Sequence, residues 1–130
     1  ESLSAYGHED SLFGFRLTEN DQTVIHIDNP VVHEGLESNA VFLDKTNDGL
    51  KNLNYIAGLT NYNPEFIKSN TLLKYIARID ERGSARMISF LYLLFGALTR
   101  WLLTAGYPNL PLFSFYKLGN YLRIRSNEKK

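Results

Sequence analysis

No cysteine occurs anywhere in the 130 residues, which excludes a disulfide framework, a thiolate metal site and a cysteine nucleophile, while leaving the compartment open. There is no glycine-rich phosphate loop, and Gly83-Ser84 reads only as a junction between helices. The segment HEGLE at residues 33–37 lacks the second histidine of a zinc-protease helix. Internal repeats and low-complexity tracts are absent as well. The most apolar run, Met87 to Thr99, holds 13 residues before Arg100 interrupts it, short of the roughly 20 that a spanning helix needs. Basic residues are spread along the chain instead of clustering with aromatics, so no nucleic-acid interface is expected.

What is present is the material of a folded domain. The length suits one core, and the 44% hydrophobic content is that of a globular chain. It opens on Glu1-Ser2 with no initiator methionine and no basic-then-apolar leader, which reads as a processing site or as an end within a longer protein. The net charge of zero conceals a division. Residues 1–48 carry ten acids against two bases, whereas residues 49–130 carry four against twelve. Either the halves neutralise each other, or the basic, apolar half faces an anionic lipid, a phosphorylated ligand or another protein.

Hydrophobic periodicity predicts a mainly α chain with a small β element. Residues 9–19 (EDSLFGFRLTE) read as a short helix with Leu12, Phe13, Phe15 and Arg16 around it and two acids in its first turn, where the helix dipole favours negative charge. QTVIHID is β-branched and alternating, a predicted strand, and the Asn-Pro of NPVVHEG turns the chain into a second extended piece ending at Gly35. From Ser38 the pattern is helical, with Ser38 or Asn39 as cap and Val41, Phe42, Thr46, Leu50, Leu53, Ile56 and Ala57 near a 3.6 period. A second helix runs from Asn63 as cap, through Pro64 at its first position, to Gly83, with Phe66, Leu73, Ile76 and Ile79 on one stripe. Ser84 caps a third helix closed by Gly106. It is apolar nearly all round, so we expect it to be buried against other helices, with contact at a membrane interface as the alternative. Pro111 starts the last helix, whose aromatics run into Arg123, Arg125, Lys129 and Lys130, the composition of an interfacial anchor or of a solvated tail.

Chemistry-bearing residues concentrate early: His8, Glu9, Asp10, His26, Asp28, His33 and Glu34. On a strand His26 and Asp28 point to one side, and His33, after the turn, is placed to converge with them or with Glu9-Asp10. Paired acids at a helix start serve as ordinary first-turn residues, and equally well as a general base, since a helix N-terminus favours the ionised carboxylate. Gly7 just before them allows a substrate close to the backbone.

YGHEDSLFGFRL followed by VIHIDNPVVHEGLESNAVFLDKTNDGLKNL resembles the C-terminal part of family 2 glycosyltransferases, inverting enzymes of the GT-A fold, of the kind found in Bacteroidetes-type bacteria. The similarity covers about residues 5 to 57, and FYKLGNYLRI near the end is a weaker echo. The resemblance implies Asp10 as the base that deprotonates an acceptor hydroxyl, with Glu9, His8 and Gly7 at the acceptor, and His33 as a ligand to a divalent Mn²⁺ or Mg²⁺ beside the donor diphosphate. It further implies a nucleotide-sugar donor, a glycan or lipid-linked acceptor, a role in polysaccharide synthesis and a cytoplasmic protein; the aromatic and basic C-terminal segment adds the inner leaflet of the cytoplasmic membrane as a candidate surface. On this reading residues 1–37 end the catalytic domain and residues 38–130 form a helical region.

The departure from the family is equally specific. No Asp-x-Asp motif and no nucleotide-binding half are present, so the chain reads as the acceptor-side portion of a larger enzyme and is not expected to turn over alone. An uncovered strand edge would favour self-association into a homo-oligomer. From other classes come a non-catalytic helical interaction or membrane-association module, and a metal hydrolase using His26, Asp28 and His33.

Overall fold

The structure, a computed structural model, describes residues 7–25, 27–31, 35, 37–107 and 109–128. Among these residues there are six helices and no strand: α1 Glu9–Glu19, α2 Asn39–Leu59, α3 Pro64–Ser69, α4 Thr71–Glu81, α5 Ala85–Thr104 and α6 Leu110–Glu128. Mainly α therefore holds, and the β element is corrected. The described part of residues 22–31 is irregular and solvated, with Ile25 at 81% and Val31 at 84% exposed. Alternation gives a strand only where a second edge supplies its ladder hydrogen bonds, and no described segment offers one.

Local signals account for most helix ends. Ser38 Oγ accepts from the Val41 N–H at 3.4 Å, and Asn63 Oδ1 accepts from Glu65 N at 2.8 Å with Pro64 at the first helical position. The long helix expected from Asn63 to Gly83 is two helices instead. Asn70 takes an extended backbone, and its Oδ1 accepts from both Leu72 N and Leu73 N, so it ends α3 and caps α4. The apolar stripe survives the break, because Phe66, Leu73, Ile76 and Ile79 are all buried. Two other expectations shift: Ser84 makes no side-chain cap, and α6 begins before Pro111, with Asn109 Oδ1 accepting from Leu112 N.

α6 packs along both α2 and α5, while α3 and α4 pack on each other and α4 also meets α5. The main core joins Phe15 of α1, Leu50, Leu53 and Ile56 of α2, Phe66, the α4 stripe, and Leu118, Tyr121 and Leu122 of α6. A smaller cluster holds Leu43, Tyr92, Leu103 and Tyr116. There α5 and α6 cross in close contact, because Tyr92 lies over Gly119, and a Cβ on Gly119 would come within 2.1 Å of the Tyr92 ring. Polar ties join α6 to α4 and α5 to α2 and α6. The Arg125 guanidinium grips Asp80 through both nitrogens, at 2.6 and 2.8 Å, and Arg100 bridges Asp44 at 3.0 Å and the Tyr116 hydroxyl at 3.3 Å.

Burial of α5 is half right. Tyr92, Gly96, Thr99 and Leu103 face inward, while Met87, Phe90, Leu91, Leu94, Leu98 and Trp101 lie open on the other side. Six helices in a chain of this length leave no seventh element to cover that face among the described residues.

Gly119→Ala is expected to destabilise the fold by ~1–3 kcal/mol or more through overpacking, because the obstructing atoms are the root of the Tyr92 side chain. Gly14→Ala, with nothing within 4 Å of the added methyl, is expected to stabilise by about 0.5–1 kcal/mol. Thermal unfolding of both variants checks the pair, and similar effects from the two would overturn the α5–α6 contact.

Candidate functional site

The segment before α1 is fastened by backbone geometry. Gly7 has φ 94°, and a Cβ there would meet the Gly49 Cα of α2 at 3.1 Å, so only glycine fits both the conformation and the approach. The buried Asn52 side chain donates to the Gly7 carbonyl oxygen, and His8 follows in the left-handed region at φ 66°. On the far side of α1, Phe15 meets Phe66 edge to face at 5.3 Å between ring centres. Those anchors hold the first turn of α1 beside α2.

Beside that turn lies an open groove of about 980 Å³ between the starts of α1, α2, α4 and α6. Gly7, His8 and Asp10 all line it, so three of the four residues assigned to the acceptor corner converge; Glu9 is exposed and does not line the groove. The Asp10 Oδ1 accepts from the Ser11 N–H at 2.7 Å, and Oδ2 accepts no hydrogen bond among the described residues. Across the groove stand Lys45, which pairs with Glu37, and Lys117, whose ammonium lies 4.8 Å from the centre of the Phe113 ring. Phe113 and Phe42 lie 5.6 Å apart, tilted by 34°, and both line the groove. Carboxylate, ammonium, hydroxyl and aromatic surfaces thus share one cleft, a combination able to orient a polyhydroxy ligand.

The sequence points to Gly7, His8 and Asp10 but not to Phe42, Phe113 and Lys117, which line the same groove. Phe42 was assigned to the core stripe and is 53% exposed. The other two come from a helix more than sixty residues further along, and no local pattern pairs them with Asp10.

His33, the metal candidate, lies outside the described residues, as do His26 and Glu34. Among the described residues no three histidine or carboxylate side chains gather into a metal-holding group. Glu9 and Asp10 alone do not fit a divalent cation. Asp28 sits in the solvated connection, apart from the groove.

Compared with protein-family models, curated proteins and solved structures, the chain matches none of them.

Burial pushes the His8 imidazole below its ordinary value of 6.5, opposed by Asp10 and Glu9 and assisted by Lys117. The unfolded chain then takes up its proton first as the pH falls. His8 costs nothing above about 6.5, and stability is lost below it as the pH drops toward the lowered folded value. His8→Asn, which tolerates the left-handed backbone, is expected to flatten the acid side of the stability profile relative to wild type. Denaturant midpoints for both proteins across this range check it, and parallel profiles would place His8 in water.

Proposed function

We propose that this chain is the acceptor-side portion of an inverting glycosyltransferase that passes a sugar from a nucleotide-sugar to a glycan or lipid-linked acceptor. The observation that carries the reading is the groove in which Asp10, with one carboxylate oxygen unengaged among the described residues, faces Lys117 and the Phe42–Phe113 pair. It agrees with the role that the GHED resemblance implies.

In this reading an acceptor sugar lies along the two rings, its apolar face against them and its hydroxyls toward the groove's polar side chains. Asp10 takes the proton of one hydroxyl as that oxygen forms a bond to the anomeric carbon of the donor. The bond from that carbon to the diphosphate oxygen breaks with its electron pair, the nucleoside diphosphate leaves, and the configuration inverts. Gly7, seated against Gly49, fixes the turn that presents this corner, and His8 offers a partly buried imidazole beside the same hydroxyls. A divalent cation, when bound in the larger enzyme, would neutralise charge on the departing diphosphate. Donor recognition belongs to a nucleotide-binding half that this sequence does not contain, so the chain by itself is inactive.

In an enzyme carrying both halves, Asp10→Asn is expected to lower acceptor-dependent release of nucleoside diphosphate by about 10² or more, with donor binding retained. Unchanged turnover would leave Asp10 as a helix-start residue only and end this reading.

A further inference from the structure

We infer that α5 lies in the plane of an anionic phospholipid surface, its outer face in the acyl boundary and a basic slot along its edge taking a lipid phosphate. This does not depend on the chemistry at Asp10.

The outer face is continuous. Met87, Phe90, Leu91, Leu94, Leu98 and Trp101 follow the spacing of one helical stripe, with Met87 61%, Leu94 56% and Trp101 60% exposed. Contiguous apolar surface of this kind marks a protein or membrane contact. Charge decides between them. From Arg82 to Asn127 the chain has six basic residues and not one acid. Three of the six are engaged, Arg100 with Asp44, Arg125 with Asp80 and Lys117 over the Phe113 ring, whereas Arg82, Arg86 and Arg123 make no ion pair among the described residues. A second copy would bring the same unneutralised positive charge against itself, but an anionic leaflet complements it.

Along one edge of the face runs a slot of about 560 Å³, lined among others by Leu93, Ala97, Arg100 and Arg123. Its lining includes Asn120, 3% exposed, whose Nδ2 makes no hydrogen bond among the described residues, and the buried Oδ1 of Asn47 is likewise unpartnered among them. A phosphate oxygen accepts from Asn120 and Arg123, and a glycerol hydroxyl donates to Asn47. Phosphatidylglycerol offers both groups.

The uncharged run of α5 alone is short of a span, but the whole helix, Ala85–Thr104, is by length and composition sufficient to cross a bilayer. Its inner face is nonetheless packed against α6, and Arg100 is tied to Asp44 and Tyr116, so the helix lies on the surface.

Trp101 is the one tryptophan in the chain and sits on the docking face, so its emission reports the event directly. The whole chain is titrated with vesicles of phosphatidylcholine, with and without phosphatidylglycerol, and co-sedimented. The expected result is a blue shift and pelleting with phosphatidylglycerol only, reversed by salt. Leu94→Glu with Leu98→Glu, exposed positions that leave the core untouched, abolishes both signals while far-ultraviolet circular dichroism is retained. Arg123→Gln weakens binding about fivefold. Equal binding to neutral vesicles, or indifference to Arg123→Gln, would overturn the headgroup slot. Pelleting that high salt does not reverse would mean insertion and overturn in-plane docking. No vesicle binding, with a dimer that Leu94→Glu dissolves, would assign the face to a second copy.

Discussion

Everything in this fold turns on the crossing of α5 and α6 at Tyr92 and Gly119. The tyrosine ring occupies the space where any side chain at Gly119 would stand, so this contact requires glycine there. Because α6 also lies along α2, that one contact sets where three of the long helices sit. Arg100 reinforces it from α5 by holding Asp44 of α2 and the Tyr116 hydroxyl of α6 at once. With its inner face committed there, α5 has no means of hiding its outer one. The exposed stripe is thus a consequence of the same packing that stabilises the molecule.

The groove at Asp10 depends on that arrangement as well. α1 contributes only Phe15 to the buried core, so its position rests on the Phe15–Phe66 contact and on the close approach of Gly7 to Gly49. The amide of Asn52 settles the Gly7 carbonyl that the turn leaves without a helical partner. With α1 held so, its first turn meets the beginning of α6, where Lys117 and Phe113 are presented by the helix that the α5 crossing has already placed. The two functional readings therefore share a scaffold but use different residues of it. An acceptor attached to a lipid would link them, since α5 would then hold the groove near the membrane that carries the substrate.

Charge division along the chain acquires a meaning it lacks in one dimension. Across the boundary between the acidic and basic halves, Arg100–Asp44 is the long-range ion pair among the described residues, while Lys51–Asp48 is local and Glu37–Lys45 lies within the acidic half. The halves mostly do not cancel. Exposed pairs such as these contribute little to stability, about 0–1 kcal/mol each, and the charges left over act outward on partners.

Local chemistry determined much of this protein without help. The GHED turn, the Ser38 and Asn63 caps and the Leu50, Leu53, Ile56 and Ala57 part of the α2 stripe are written over a few consecutive residues, because capping and helical registry act over that range. At the start of that stripe Val41 and Phe42 are exposed, and Leu43 is buried in their place. The same locality misled at Asn70, where a continuous stripe concealed a capped break, and at residues 22–28, where alternation promised a strand that finds no partner among the described residues. Only the tertiary structure decided that Phe42, Phe113 and Lys117 stand across from Asp10, and that one side of an all-round apolar helix remains in the open. Burial and groove formation depend on which distant helices meet, and that follows from packing volumes such as Tyr92 over Gly119, which no local window of sequence records.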